Sequence, residues 1–158
     1  MDELHVYFIS DDYVRYLYGF DSRVPYNKDG KRPYVGVVLR VGDYQYFVPM
    51  ESPKPSHQGL KSRPHILKLQ GGALGILGFN NMIPVPDRAL TLCDISAIEN
   101  RKYRFLLENQ QAECNHMDGL IHQRAQATYS SVLSGKNAFL LKISCDFRKL
   151  EEACKEYR

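Results

Sequence analysis

The sequence predicts an α+β fold, an antiparallel sheet of hairpins with helices inserted and appended. Two observations carry that reading. Alternating runs rich in aromatic and β-branched residues, separated by glycine turns, fill the first half. After Asp94 the hydrophobic period lengthens to that of a helix. At 158 residues the chain suits one hydrophobic core, and it holds no internal repeat, low-complexity tract or flexible linker. Residues 1–158 therefore read as a single domain.

Leu4 to Ser10 is the opening strand. Ser10, Asp11 and Asp12 then offer capping oxygens to a short helix with Val14 and Leu17 at i, i+3 spacing, which stops near Gly19. Arg23 to Lys31 reads as loop, from its turn residues Pro25, Asn27, Asp29 and Gly30. Tyr34–Val41 and Tyr44–Pro49 flank Gly42-Asp43, a hairpin signal, because glycine in a two-residue loop can take positive φ. His65–Gln70 and Ala73–Phe79 repeat the pattern around Gly71-Gly72, which reads as a turn and nothing more. Asn81–Val85 adds a short strand ended by Pro84 and Pro86. Beyond Asp94 and Asn100 a helix runs to about Cys114. Leu120, Ile121, Ala125, Tyr129, Val132 and Leu133 trace a second, ending before Gly135. Asn137–Ile143 reads as a late strand, and Asp146 as the cap of an amphipathic terminal helix.

Apolar content of 44% and charged content of 25% exclude a disordered or fibrous chain. No apolar run approaches the roughly 20 residues that span a bilayer. The acidic start Met1-Asp2-Glu3-Leu4-His5 lacks the basic-then-apolar design of a signal peptide, so a cytoplasmic protein without membrane contact is expected. Cys93, Cys114, Cys145 and Cys154 are scattered without paired spacing, which favours reduced, mostly buried thiols over zinc or disulfides. The histidines His5, His57, His65, His116 and His122 form no H-x-x-x-H pair, so no metal site and no cofactor is expected. Phosphate-loop, dinucleotide, nucleophile-elbow and zincin motifs are lacking as well.

Net charge is only +3, but between Arg23 and Lys68 nine basic residues stand against three acidic ones. Tyr26, Tyr34, Tyr44 and Tyr46 are interleaved with them. Cations bind phosphates and aromatic faces stack on unpaired bases, so the mixture suits single-stranded nucleic acid. A solvated strand face over packed tyrosines would read the same way. Within this region Pro49-Met50-Glu51-Ser52-Pro53-Lys54 ends a strand and sets a carboxylate, a hydroxyl and an ammonium within four positions. Pro53 stiffens the chain there. Phosphodiester cleavage needs charge stabilisation and proton transfer, which such groups supply, although an ordinary polar strand end has the same composition.

Segments along nearly the whole chain resemble the ToxN/AbiQ endoribonucleases, toxins of bacterial type III toxin–antitoxin and phage-abortive systems. They include Tyr7-Phe8-Ile9-Ser10, Tyr13 to Leu17, Phe20 to Pro25, Arg32 to Leu39, Leu77 to Val85 and Cys145 to Glu151. The most specific is Tyr46 to Lys54, similar to the family's Y-x-x-P-L-T-S-P-K. The resemblance implies a MazF/Kid-like core, a highly twisted antiparallel sheet with surrounding helices. It implies metal-free cleavage of cellular and phage RNA by the RNA's own 2′-OH, leaving a 2′,3′-cyclic phosphate and a 5′-OH. It also implies inhibition by a repeat-derived antitoxin RNA with a pseudoknot fold, in closed assemblies whose protein chains are joined mainly through RNA.

Carried over by position, Ser52 and Lys54 match the family's active-site serine and lysine, and Arg32 a basic position before the long strand. Tyr13 and Tyr26 match aromatics of the RNA-binding groove. Lys31 and Lys61 are further candidate RNA contacts, with His57 on a solvated loop beside the same cleft. Glu51 departs from the pattern, standing where threonine is usual; ion pairing with Lys54, an outward orientation and a base role are its alternatives. A non-catalytic RNA-binding module using the same groove is the rival reading.

Overall fold

Strand pairing begins at the long hairpin, where Tyr34–Val41 (β2) and Tyr44–Glu51 (β3) run antiparallel in the computed structural model, which describes residues 3–61 and 63–158. Met1 and Asp2 of the acidic start lie outside the described residues, as does Ser62. Gly42, at φ 57°, turns the hairpin. β2 pairs on its far side with His5–Ile9 (β1), which pairs in turn with Leu90–Leu92 (β7), a strand without a sequence signal. β3 divides its outer edge between two partners. Tyr46 and Phe47 meet Ile83–Pro84 (β6), whereas Met50 and Glu51 meet Ile76–Gly78 (β5). β5 then pairs with Ile66–Lys68 (β4), giving a seven-stranded antiparallel sheet.

Among helices longer than one turn, the sequence pattern is followed with one exception. Asp11–Tyr18 (α1) turns Tyr13, Val14 and Leu17 inward, and Arg101–His116 (α3) begins where Asn100 Oδ1 accepts the Tyr103 N–H. Asp118–Ser134 (α4) packs on β2, buries Ile121, Ala125, Tyr129 and Val132, and ends at Gly135 in the left-handed conformation. Phe147–Glu156 (α6) is capped by Asp146, whose Oδ1 accepts the Lys149 N–H. The exception is Ala138–Ile143 (α5), expected as a strand. Asn137 Oδ1 accepts the Leu140 N–H at 3.0 Å, so an N-cap launches a helix. Ala138, Phe139, Leu140 and Leu141, free of β-branching, let it continue.

Two further expectations are corrected. Pairing in the Asn81–Val85 segment is confined to Ile83 and Pro84, because Phe79–Asn81 forms a 3₁₀ turn. The Gly71-Gly72 segment is no two-residue hairpin turn, since residues 69–75 form a looped bridge between β4 and β5.

The core lies between the sheet and α3, α4 and α6. α3 also seals the β1 edge with side chains: Asn115 Oδ1 accepts the Leu4 N–H at 2.8 Å, and Gln111 Oε1 accepts the Val6 N–H at 3.0 Å. Within the core, Glu151 is 4% exposed, and its Oε2 accepts the phenol hydrogens of Tyr46 and Tyr129, each at 2.7 Å. A buried carboxylate kept in place by two donors ties α6 to β3 and α4. Cys93, Cys114 and Cys145 are buried free thiols, and Cys154 is half-buried. Among the described residues no helix is long and apolar enough to cross a membrane.

Candidate RNA-cleavage site

Register in the central hairpin creates the site. Tyr34 pairs with Pro49, and the Met50 N–H donates to Pro33 O at 3.0 Å, so Arg32 arrives opposite the end of β3. The loop preceding Arg32 is fixed by Asn27, which is 2% exposed. Its Nδ2 donates to Ile9 O at 2.9 Å, and its carbonyl collects the N–H groups of Gly30, Lys31 and Arg32 at 3.0, 3.1 and 3.1 Å. The Arg32 Nε then donates to the Tyr26 backbone carbonyl at 2.6 Å, and the Tyr26 side chain is exposed.

Arg32, Pro49 and Glu51 line one wall of a groove of ≈ 460 Å³; Arg63, His65 and Phe139 stand among the other lining residues. Ser52 and Lys54 are exposed just past the end of β3; neither lines the groove, and Glu51 is the residue that connects them to it. Lys54 Nζ lies 3.9 Å from Glu51 Oε1, so Glu51 neither points away nor stands alone. Lys54 also precedes a one-turn helix, Pro55–Gln58 (α2), where the sequence predicts only a stiff turn.

His57 on α2 is buried, 4% exposed, which corrects its expected place on a solvated loop. Its Nδ1 accepts the Lys54 N–H at 3.2 Å, and its Nε2 faces Glu51 Oε2 at 3.4 Å. A ring enclosed in this way cannot lie along an RNA strand. Its role is internal: it joins both ends of the Glu51-to-His57 segment. Tyr13 is corrected as well. It is fully buried, its phenol donates to Pro84 O at 2.5 Å, and it packs edge-on against Tyr157. Burial holds its proton in place far above the ordinary phenol range, and no face remains for a base. Lys31 and Lys61 are exposed, Lys31 next to Arg32 and Lys61 beyond α2.

Two glycines position the segment, and their purpose was not read from the sequence. Gly75 has φ +102°, and a Cβ on it would lie 1.9 Å from Glu51 O. Gly72 has φ +100°, and its Cβ would lie 3.1 Å from His57 O. The 69–75 bridge therefore presses on the backbone of both Glu51 and His57, an approach only residues without side chains allow. Lys68 Nζ fastens the other end of α2 by donating to Gln58 O and Leu60 O, each at 3.1 Å, so this lysine is structural. Arg124 Nη1 donates to Arg63 O at 2.8 Å and to Ile66 O at 3.0 Å, holding the far wall to α4.

Arg63, His65 and Phe139 were not chosen from the sequence. Phe139 stayed hidden because its segment was read as a strand, whereas an N-cap asparagine before a run without β-branching was a usable helix signal. Its ring is 55% exposed and meets His65 edge-on, with centroids 6.3 Å apart. Burial, with Arg63 nearby, pushes the His65 imidazolium down, favouring the neutral ring.

Known proteins resemble the chain along nearly its whole length. The model of the family described as toxin ToxN, type III toxin–antitoxin system, matches residues 5–155. The endoribonuclease ToxN of Bacillus thuringiensis subsp. kurstaki is 34% identical, over 95% of this chain and 82% of its own. The endoribonuclease AbiQ of Lactococcus lactis subsp. lactis is 30% identical, over 94% and 86%. A solved structure from work on selective toxin inhibition by a non-coding RNA pseudoknot superposes with TM-score 0.87 at 33% identity, covering 99% of this chain and 98% of the other.

Proposed function

The chain belongs to the ToxN family of type III toxin–antitoxin toxins, and from that premise we propose that it is a metal-independent endoribonuclease cutting single-stranded RNA. The observation that carries the reading is the exposure of Ser52 and Lys54 just past Glu51, which itself lines a groove with Arg32 and Arg63 and lies 3.9 Å from Lys54 Nζ. The guanidinium of Arg32 binds a phosphate next to the scissile one with its planar fork. Lys54 neutralises the charge that grows on the non-bridging oxygens in the transition state, and the Ser52 hydroxyl donates a hydrogen bond to one of them. The RNA's 2′-OH attacks the adjacent phosphorus, so no enzymic nucleophile is needed. The products are a 2′,3′-cyclic phosphate and a 5′-OH. Tyr26 and Phe139, both exposed, offer faces on which unpaired bases stack. Lys31 and Lys61 add cations along the strand.

By the same reading, the protein acts in the cytoplasm on cellular and phage RNA. It cuts its own repeat antitoxin RNA and is then held inactive by the processed pseudoknot units, in a closed assembly whose protein chains are joined through RNA. Relatives associated with an inhibitory pseudoknot and with anti-phage activity support this assignment.

Digestion of a single-stranded RNA in EDTA, with mass spectrometry of the new ends, tests the chemistry. Fragments ending in a 2′,3′-cyclic phosphate and a 5′-OH are expected. A requirement for divalent metal, or 5′-phosphate ends, contradicts the mechanism. Tight RNA binding without any cutting would identify a non-catalytic binding module instead.

A further inference from the structure

We propose that Glu51 is the group that takes the 2′-hydroxyl proton, and that His57 is the residue that positions it; this rests on the RNA-cleavage reading above. Glu51 is the last residue of β3, half-exposed, and lines the same groove as Arg32. Both of its oxygens have assigned neighbours. Oε1 lies 3.9 Å from Lys54 Nζ, and Oε2 lies 3.4 Å from His57 Nε2.

The imidazole's own bonding decides what it presents to the carboxylate. Nδ1 accepts the Lys54 N–H at 3.2 Å, so Nε2 is the ring nitrogen that carries a proton, and it lies 3.4 Å from Oε2. The arrangement inverts the familiar triad order. Here the carboxylate faces the groove, and the buried histidine behind it sets its orientation. The backbone beneath is equally fixed, since Glu51 pairs with Ile76 while Gly75 and Gly72 press on Glu51 and His57.

Other groups of the site suit this task less well. Arg32, Arg63 and the Lys54 ammonium are cations without a free lone pair, and the Ser52 hydroxyl is a poor proton acceptor. His65 can accept a proton, but it precedes β4, two strands across the sheet from β3, and its ring packs against Phe139, whereas Glu51 is the acceptor in contact with Lys54. The charged and titratable groups around Glu51 are Lys54 and His57 on its own side and Arg32, Arg63 and His65 around the groove.

The step balances as follows. The 2′-O–H proton passes to Glu51, the 2′-oxygen bonds to phosphorus, and the P–O5′ bond breaks. The departing 5′-oxygen takes a proton from Lys54. Protonated Glu51 then stands beside the neutral amine, and return of the proton across that contact restores the resting pair.

A carboxylate near a phosphate also repels it, so the two roles predict opposite results for one substitution. Single-turnover cleavage of an RNA oligonucleotide spanning a mapped cut is measured across pH for wild type, Glu51→Gln, Glu51→Asp and His57→Gln. Affinity is measured with the same oligonucleotide carrying a 2′-deoxy residue at the cut. Glu51→Gln is expected to cut roughly 10²–10⁴-fold more slowly, with affinity equal or higher and without the acidic limb of the pH–rate profile. Glu51→Asp keeps that limb at a reduced rate, and His57→Gln displaces it while leaving affinity unchanged. Undiminished or faster cutting by Glu51→Gln overturns the proposal, as does slow cutting with the acidic limb intact. If those variants cut like wild type while Lys54→Ala is inactive, the cleavage site stands and only the base assignment falls. An inactive wild type overturns both.

Discussion

Gly75 meets Glu51 so closely that a methyl group on the glycine would stand 1.9 Å from the Glu51 carbonyl oxygen. One backbone thus shapes another at the point where the site's polar side chains begin. Gly75→Ala must either move the strand end or move the bridge, and its φ of +102° adds strain of its own. The expected cost is about 2–3 kcal/mol, with loss of RNA cleavage. Gly135→Ala is the comparison, because Gly135 also has positive φ but nothing within 4 Å of the built Cβ. It is expected to cost about 1–2 kcal/mol and leave cleavage intact. Thermal melts and a cleavage assay on both proteins check this pair.

Asp21 governs the acid side of stability. Burial alone would raise its pKa, but hydrogen bonds from the Arg23 side chain and from the backbone N–H groups of Asp146 and Arg23 outweigh it, holding the carboxyl below its usual range. The Asp146 N–H donates to Oδ2 at 2.6 Å, joining the 21–24 turn to the start of α6. A folded pKa below the unfolded one means that this contribution is present above the ordinary carboxylate range and is lost as pH falls through the folded value. Asp21→Asn is expected to lower stability at pH 7 by about 2 kcal/mol, after discounting for the partly exposed Arg23, and to flatten the acid limb. Urea unfolding at stepped pH measures both effects.

On the alkaline side the tyrosines around Glu151 contribute, alongside the buried Tyr13 and Tyr34, whose phenols burial also pushes up. Burial first, then the hydrogen bond to Glu151, pushes the Tyr129 phenol up to about 12, and Tyr46 moves in the same direction for the same reasons. Unfolded phenols ionise near pH 10, so the unfolded chain loses protons that the folded one keeps. Stability should therefore be full below about pH 10 and fall as pH rises toward 12. Tyr46→Phe is expected to shallow that fall and to cost about 1–2 kcal/mol at pH 7, since Glu151 retains only Tyr129. Unfolding curves between pH 8 and pH 11 would expose a missing effect.

The parts of this molecule written in local pattern were legible, and those written in contact were not. The hairpin from Tyr34 to Glu51 and the helices capped at Asn100 and Asp146 follow from period and turn chemistry. β7 was not legible, because three residues pairing with the edge of β1 carry no period of their own. In Asn137–Ile143 an apolar run outweighed the cap that precedes it. At the site, the composition around Ser52 and Lys54 is that of any polar strand end, and the family resemblance is what marks the segment. The burial of His57 and Tyr13 was not legible, because a histidine or tyrosine reads alike inside and outside until its neighbours are known. Gly72 reads as a turn residue and Gly75 as part of a strand-like run, because the backbones they approach, His57 and Glu51, lie far away in sequence.

Cleavage by Lys54→Ala and Ser52→Ala in EDTA tests the central claim most directly, read as single-turnover rate on a single-stranded RNA alongside wild type. Both side chains are exposed, so neither substitution should disturb folding, which a thermal melt verifies. Wild type is expected to cut without metal, with Lys54→Ala slower by roughly 10³-fold and Ser52→Ala by about 10²-fold. Cutting at the wild-type rate by both variants would contradict the account, because the end of β3 would then take no part in the chemistry.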